Sequence, residues 1–272
     1  MYEFQIGDLV ARKSYGGDIH FTITDIDALN RSKAVFLLKG LYYRIEADAY
    51  SDDLIKSDSK SALSHMNRYM HIVKRQGHGR STLRSAISLN RLRSRPGKIL
   101  HIDSSSEFLD MCIKHYKEVR LEPVGILASE SQQPGIVRRM LEQHHPDILV
   151  VTGHDGFKKS GESRDSVERY RNSKYFVQSV AEARKYQPDF DKLSIFAGAC
   201  QSYFEGIMKA GANFASSPGR ILINALDPAI VSEKIALTDS RSIVTPREVV
   251  RLTISGSKGI GGINTRGQLK WL

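Results

Sequence analysis

The residues of this chain best suited to covalent chemistry are a cysteine and a histidine that close two apolar runs, LSIFAGACQS and DILVVTGHDG. His154 ends the earlier run, and Cys200 ends the later one 46 residues on. An apolar run bounded by small residues reads as a buried strand, and Gln201 to Glu205 read as the first turn of a helix. Cys200 is therefore expected at a strand-to-helix junction, where a helix N-terminus lowers a thiol pKa. If the two strands are parallel neighbours, thiol and imidazole emerge at the same edge of a sheet. The thiolate is then the nucleophile, and the imidazole favours it and later protonates a leaving amine. Backbone N–H groups at Cys200 and in the turn Gly153 to Gly156 are candidate oxyanion donors, because glycine permits close backbone approach. The chemistry this supports is acyl transfer, above all amide hydrolysis through a thioacyl intermediate. The bland alternative for each residue is a small buried cysteine and a histidine in a turn. Cys112, on the apolar side of a predicted helix with Phe108 and Leu109, keeps that bland reading.

Strands and helices alternate from Lys98 onward. KILHID, PVGILAS, DILVVTG, LSIFAGA and RILINA read as strands. Helices are expected after Ser104 to Ser106, over GIVRRMLEQH, over VERYRNSKYFVQSVAEARKY, after Cys200 and around PAIVSEKIA, with PREVVRLTIS completing the pattern. This alternation predicts an α/β fold with a mainly parallel sheet and helices on both faces, whose ligands gather at the carboxyl ends of strands. Before it, residues 1–55 hold short runs (QIGDLVARK, HFTITDID, KAVFLLKG, YYRIEA) that predict a small antiparallel barrel of SH3-like type. Residues 56–97 read as a basic linker, partly helical or disordered, leaving 98–272 as the α/β catalytic domain.

The net charge of +10 suggests nucleic acid until it is located. Eleven of the 40 basic residues lie between Lys56 and Lys98 against one acid, Asp58, so the rest of the chain is neutral. The basicity belongs to one segment, which argues against nucleic acid as a partner of the folded parts. An adaptor for nucleic acid or an acidic protein, using barrel and linker, is the binding-class alternative. No run approaches the ~18 apolar residues of a membrane span, and the N-terminus lacks a signal pattern, so a cytoplasmic protein is expected. Two cysteines make no disulfide framework, and His65, His71 and His78 lack partners at ligand spacing, so neither metal nor other cofactor is expected.

An apolar block ending in His followed by one ending in Ala-Cys resembles the caspase, legumain, clostripain and gingipain clan of cysteine proteases. Over nearly its whole length the chain is similar to the YabG family of sporulation-specific proteases. The stretches that carry the likeness are FQIGDLVARKSY, PDILVVTGHDGF, IFAGACQSYFE, AGANFASSPGR, NALDP and GIGGINTRG. The resemblance implies a caspase-like catalytic fold and a cysteine endopeptidase of the mother cell and forming spore coat. Its substrates would be coat and cortex-associated proteins cut at arginine-containing sites, with self-processing. By position His154 and Cys200 match the clan's catalytic pair. The clan has Gly directly after its His, whereas here Asp155 precedes Gly156; Asp155 either orients the imidazole or caps the turn. Arginine specificity needs a carboxylate in the substrate pocket. Asp155, Asp165, Asp227 and Glu205 are the candidates, with Asp227 first because it follows RILINA; an N-cap for the next helix is its structural alternative. ASSPGR, residues 215–220, is a candidate cleft wall. Self-cleavage is expected in the basic segment at Arg80, Arg84, Arg91 or Arg93, since Pro96 protects Arg95.

Overall fold

A computed structural model describes residues 3–27, 33–58, 94–158 and 166–271, together with positions 60, 62 and 64. Arg80, Arg84, Arg91, Arg93 and Asp165 lie outside the described residues. The first sheet is antiparallel and contains β1 (Leu9–Arg12), β2 (His20–Asp27), β3 (Val35–Gly40), β4 (Glu46–Tyr50) and β5 (Leu54–Lys56) in the order β4-β3-β2-β1-β5. Period-two alternation drives it. Phe21 and Ile23 of β2 and Phe36 and Leu38 of β3 are fully buried, while Thr22 and Leu37 are turned partly outward. Asp53 ties the last strand to the connection after β1, accepting from Arg12 Nε and from the Ser14 amide and hydroxyl, each at 2.8 Å.

The chain then runs through β6 (Ser94–Arg95), β7 (Ile99–Asp103), α1 (Ser106–Glu118), β8 (Val124–Leu127), α2 (Gln133–His144) and β9 (Ile148–Val151). It continues through α3 (Ser173–Tyr186), β10 (Ser194–Ala197), α4 (Phe204–Lys209), β11 (Phe214–Ser216), α5 (Asp227–Ala236) and β12 (Ile243–Val244). The last elements are α6 (Pro246–Leu252), α7 (Gly256–Gly259), β13 (Ile260–Gly262), β14 (Thr265–Arg266) and β15 (Lys270–Trp271). Six strands form the main sheet in the order β8-β7-β9-β10-β11-β13, parallel throughout except for β13. β12 with β14 and β6 with β15 make two small ladders beside it.

Helices cover both faces of this sheet. Ile99, Ile148, Val150, Phe196 and Phe214 point to one side, where Cys112 and Tyr116 of α1 and Ile230, Val231 and Ile235 of α5 meet them. Leu100, Ile102, Leu149, Val151 and Ile195 point to the other, against Val137 and Leu141 of α2 and Phe176 and Val180 of α3. Each fully buried side chain of this kind contributes about 1.5–3 kcal/mol, which fixes the register of the central strands. Ser105 caps α1 by accepting from the Phe108 amide at 3.3 Å, and Thr245 and Glu248 form a reciprocal capping box on α6.

Four local expectations differ from the structure. The helix expected from Val167 begins at Ser173, because Tyr170 is drawn into a bridge with Phe157 and buried against Phe157 and Tyr203. The helix after Cys200 begins only at Phe204, since Gln201 takes a left-handed φ of 55° that no helical first turn accepts. RILINA is not a strand: Asn224 alone makes a bridge, to Tyr43. YYRIEA is a strand only from Glu46, and Tyr43 to Ile45 leave the first sheet for the carboxyl edge of the second. The two sheets therefore share a core, in which Phe4, Val10, Phe21, Ile23, Phe36, Leu38 and Ile45 pack with Cys200 and Ile223.

Candidate active site

β9 and β10 are parallel neighbours paired from Ile148 with Ser194 to Val151 with Ala197, so the segments after them emerge side by side. His154 follows β9 by three residues and is buried. Its Nδ1 lies 3.7 Å from Glu130 Oε1 and 3.4 Å from Ser104 Oγ, and its ring rests against Phe108 at 5.6 Å between centroids. Glu130 Oε1 also accepts from the His154 amide at 2.7 Å and from the Ser104 hydroxyl at 2.5 Å. Burial alone would push the Glu130 carboxyl up. The His154 hydrogen bond, Lys39 of the first sheet and Ser104 outweigh it and hold the carboxyl at about 2, so a fixed negative charge underlies the imidazole. With Nδ1 held, the other ring nitrogen is left for proton transfer.

The segment carrying Cys200 is turned out of β10 by Gly198, at a φ of 110° that other residues avoid. Ser202 completes the turn, its hydroxyl accepting from the Ala199 amide at 2.8 Å. Cys200 is fully buried, and its Sγ faces Ile223, accepting from that amide at 3.3 Å. Burial pushes the thiol up to about 12, against hydrogen bonds from the Ile223 and Arg44 amides and the Arg44 charge, which favour the thiolate. The expected helix N-terminus does not act on it, because α4 starts four residues further on. Among the described residues no hydrogen bond joins this Sγ to the His154 ring.

What lies at the two strand ends is a peptide. The carbonyl oxygen of Arg44 accepts from the Cys200 amide at 3.2 Å and from the Asp155 amide at 3.1 Å. The flanking residues extend the arrangement: Glu46 donates its amide to Asp155 O at 2.8 Å, Ile45 bridges Asp155 in parallel, and Tyr43 bridges Asn224 antiparallel. Two backbone N–H groups thus converge on one amide carbonyl beside a thiol, which is the geometry that stabilises a developing oxyanion.

The remaining expected residues are distributed as follows. The Asp155 carboxylate turns toward the start of α3, accepting from the Gly156 and Asn172 amides at 2.8 and 2.9 Å and from the Ser173 and Ser202 hydroxyls at 2.5 and 2.9 Å. His154 is not among these donors; the group that meets the imidazole is Glu130. Burial raises the Asp155 carboxyl to about 6 despite its four donors. Gly153 makes room for the pair beneath the imidazole, since a Cβ there would stand 2.6 Å from Glu130 Oε1 and 2.7 Å from Ser104 Oγ. Gly156 makes room for β4, since a Cβ there would stand 2.0 Å from the Glu46 carbonyl oxygen. Asp227 is fully buried and accepts from the Ile254 and Ser255 amides at 2.7 and 3.0 Å, holding the connection after α6. Glu205 pairs with Arg220 at the surface. Of residues 215–220, Ser217 donates to Ile221 O at 2.8 Å and accepts from the Gln201 amide at 3.1 Å, bracing the turn beyond Cys200. Glu130, Ser104 and Arg44 have no distinguishing sequence signal: Ser104 reads as a helix-start residue, Arg44 as part of a strand, and Glu130 falls between PVGILAS and the following helix.

Among the described residues no cluster of three His, Cys, Asp or Glu could hold a metal ion, and no helix is long and apolar enough to cross a membrane. The family model described as YabG peptidase U57 matches residues 5–272. The sporulation-specific protease YabG of Bacillus subtilis strain 168 is 38% identical over 286 residues, covering 98% of this chain and 97% of that protein. No solved structure matches the chain.

Proposed function

The chain belongs to the YabG peptidase U57 family, and on that premise we propose that it is a cysteine endopeptidase with Cys200 as nucleophile and His154 as general acid and base. The observation that carries this reading is the pair of amides, Cys200 and Asp155, meeting on one peptide carbonyl. When Sγ attacks a carbonyl seated there, the negative charge developing on oxygen falls between two fixed donors, a contribution of about 3–4 kcal/mol for one such donor. His154, with the Glu130 carboxylate beside its Nδ1, takes the proton from the Cys200 thiol as Sγ attacks, passes it to the departing amine, and then activates water against the thioester. The glycine of the wider clan is not needed at position 155, because the donor is a main-chain group that aspartate supplies equally.

The relative's name, a sporulation-specific protease, supports action during spore formation. Coat and cortex-associated proteins cut at arginine are the substrates of this reading, with self-processing in the basic segment at Arg80, Arg84, Arg91 or Arg93. The α/β part is read as caspase-like and the first sheet as an SH3-like barrel. The test is incubation of the full chain and of Cys200→Ala, each followed by intact mass and by cleavage of an extracted coat fraction. Fragments ending in arginine from the wild type alone are expected. Equal cleavage by Cys200→Ala would sink the proposal, and transfer to an added amine instead of water would recast the enzyme as an acyltransferase.

A further inference from the structure

The side chain of the residue seated in the carbonyl cradle is as informative as its main chain. Arg44 belongs to the connection between β3 and β4, yet it is fully buried and is the largest side chain so enclosed among the described residues. Its guanidinium enters a pocket at the end of β7. Nη1 donates to Asp103 Oδ2 at 2.6 Å, Nη2 donates to Ala225 O at 3.3 Å, and the Phe108 ring lies 4.8 Å from the guanidinium carbon. The Asp103 carboxylate does not depend on Arg44 for its position. It also accepts from the Ser105 amide at 3.0 Å and from Thr152 Oγ1 at 2.9 Å, on β7's own continuation and on the end of β9. The pocket is a built site for a planar cation: one anchored carboxylate, one carbonyl, one aromatic face and the Cys112 sulfur, which accepts from Nη2 at 3.7 Å.

Among the described residues the groups that meet the Arg44 guanidinium, Asp103, Cys112, Ala225 and Phe108, all lie outside the first sheet. A buried ion pair is often no more stabilising than an apolar replacement, and Nε of Arg44 is enclosed with no hydrogen-bond partner among the described residues. What the residue does accomplish is a complete substrate-like pose, with side chain in a cation pocket, carbonyl between the Cys200 and Asp155 amides, and neighbours paired as an added strand.

Resting on the cysteine-peptidase reading above, we propose that Asp103 is the carboxylate that selects arginine on the acyl side of the cut bond, and that Arg44 is a built-in occupant closing this pocket until Tyr43 to Ile45 withdraw. Arginine in a substrate replaces Arg44 on the same groups. Asp227, engaged by the Ile254 and Ser255 amides, serves the α6 connection instead.

The test reads thiol access and needs no peptide cleavage. Alkylation of Cys200 by iodoacetamide is followed by peptide mass mapping in the full-length wild type, in Arg44→Ala and in Arg44→Ala/Asp103→Asn, with and without millimolar agmatine as the guanidinium probe. The wild type is expected to react slowly and to ignore agmatine. Arg44→Ala is expected to react at least tenfold faster and to be protected by agmatine. The double variant is expected to react as fast without protection. Should Arg44→Ala fail to fold because Asp103 is left buried and unpaired, the double variant, which removes both charges, carries the test of occlusion. Thiol access unchanged by loss of Arg44, or agmatine protection surviving loss of Asp103, would overturn the proposal. An accessible, agmatine-protected thiol in a protein that cuts no arginyl peptide would leave the guanidinium pocket standing and overturn the peptidase reading alone.

Discussion

Replacing Gly156 by alanine builds a methyl group 2.0 Å from the Glu46 carbonyl oxygen and 3.1 Å from its carbon. Ordinary contact begins near 3.4 Å, and the obstruction is backbone, so β4 must retreat by about 1.4 Å. That retreat breaks or stretches the Glu46 amide bond to Asp155 O, 2.8 Å, and the Asp155 amide bond to Arg44 O, 3.1 Å. Two net hydrogen bonds at about 1 kcal/mol each and overpacking of about 1–3 kcal/mol give a destabilisation of roughly 3–5 kcal/mol. The same movement lifts the peptide off Cys200. Urea unfolding measures the first effect and the alkylation rate of Cys200 the second, and both are expected to change in the same variant. A loss under 1 kcal/mol with an unchanged thiol rate would refute the claim that the first sheet is anchored across the site at Gly156.

Further outcomes follow from neighbouring groups. Gly153→Ala meets the ends of two side chains, Glu130 and Ser104, and not backbone, so it should cost only about 1–2 kcal/mol of stability yet lower kcat at least tenfold, measured against an arginyl peptide with Cys200→Ala as the blank. The Asp155 carboxyl is raised from 3.8 to about 6 in the folded protein, so the stability it confers is present below pH 4 and is lost as pH rises through 6. Asp155→Asn keeps an acceptor for the two amides and presents a donor to the two serine hydroxyls. It should remove up to about 3 kcal/mol of that pH dependence in urea unfolding between pH 4 and 7; an unchanged slope would contradict it. Gly135 lies exposed in α2 with nothing within 4 Å of a Cβ position, so Gly135→Ala should stabilise by about 0.5–1 kcal/mol in the same assay, with thiol access unchanged.

The α/β sheet is legible in the sequence where strands are wholly buried. β9 and β10 are near-continuous apolar runs and β7 carries Ile99, Leu100 and Ile102, a pattern that a strand covered on both faces needs. β11 and β13 are not legible, because Phe214–Ser216 and Ile260–Gly262 offer one large apolar residue each and owe their place to neighbours already formed. RILINA misleads in the opposite way: Ile223, fully buried with Cys200, and Leu222 pack into the core shared by the two sheets instead of joining a ladder. The positions of His154 and Cys200 at adjacent strand ends can be read from the runs that precede them. The carboxylates around them cannot. Glu130 and Asp103 reach the site from the loop before α2 and the end of β7, and a lone acid before a helix looks the same whether it caps, pairs or selects. Arg44 is least legible of all, since YYRIEA has the alternation of the strand that it only half becomes.

The bridges that hold Tyr43 to Ile45 are made by main-chain atoms on both sides, Asn224 on one and Asp155 on the other. Such a slot is indifferent to most side chains but demanding of shape, because a helix or a folded turn cannot present its amides to two walls at once. A protein threaded there must first surrender about three consecutive residues to an open, stretched course. On the arginine-directed reading proposed above, susceptibility is set less by how many arginines a target displays than by how readily the stretch around one of them peels away. The same reading spares compact proteins and leaves tails, linkers and subunits not yet assembled as the material on which such an edge would act.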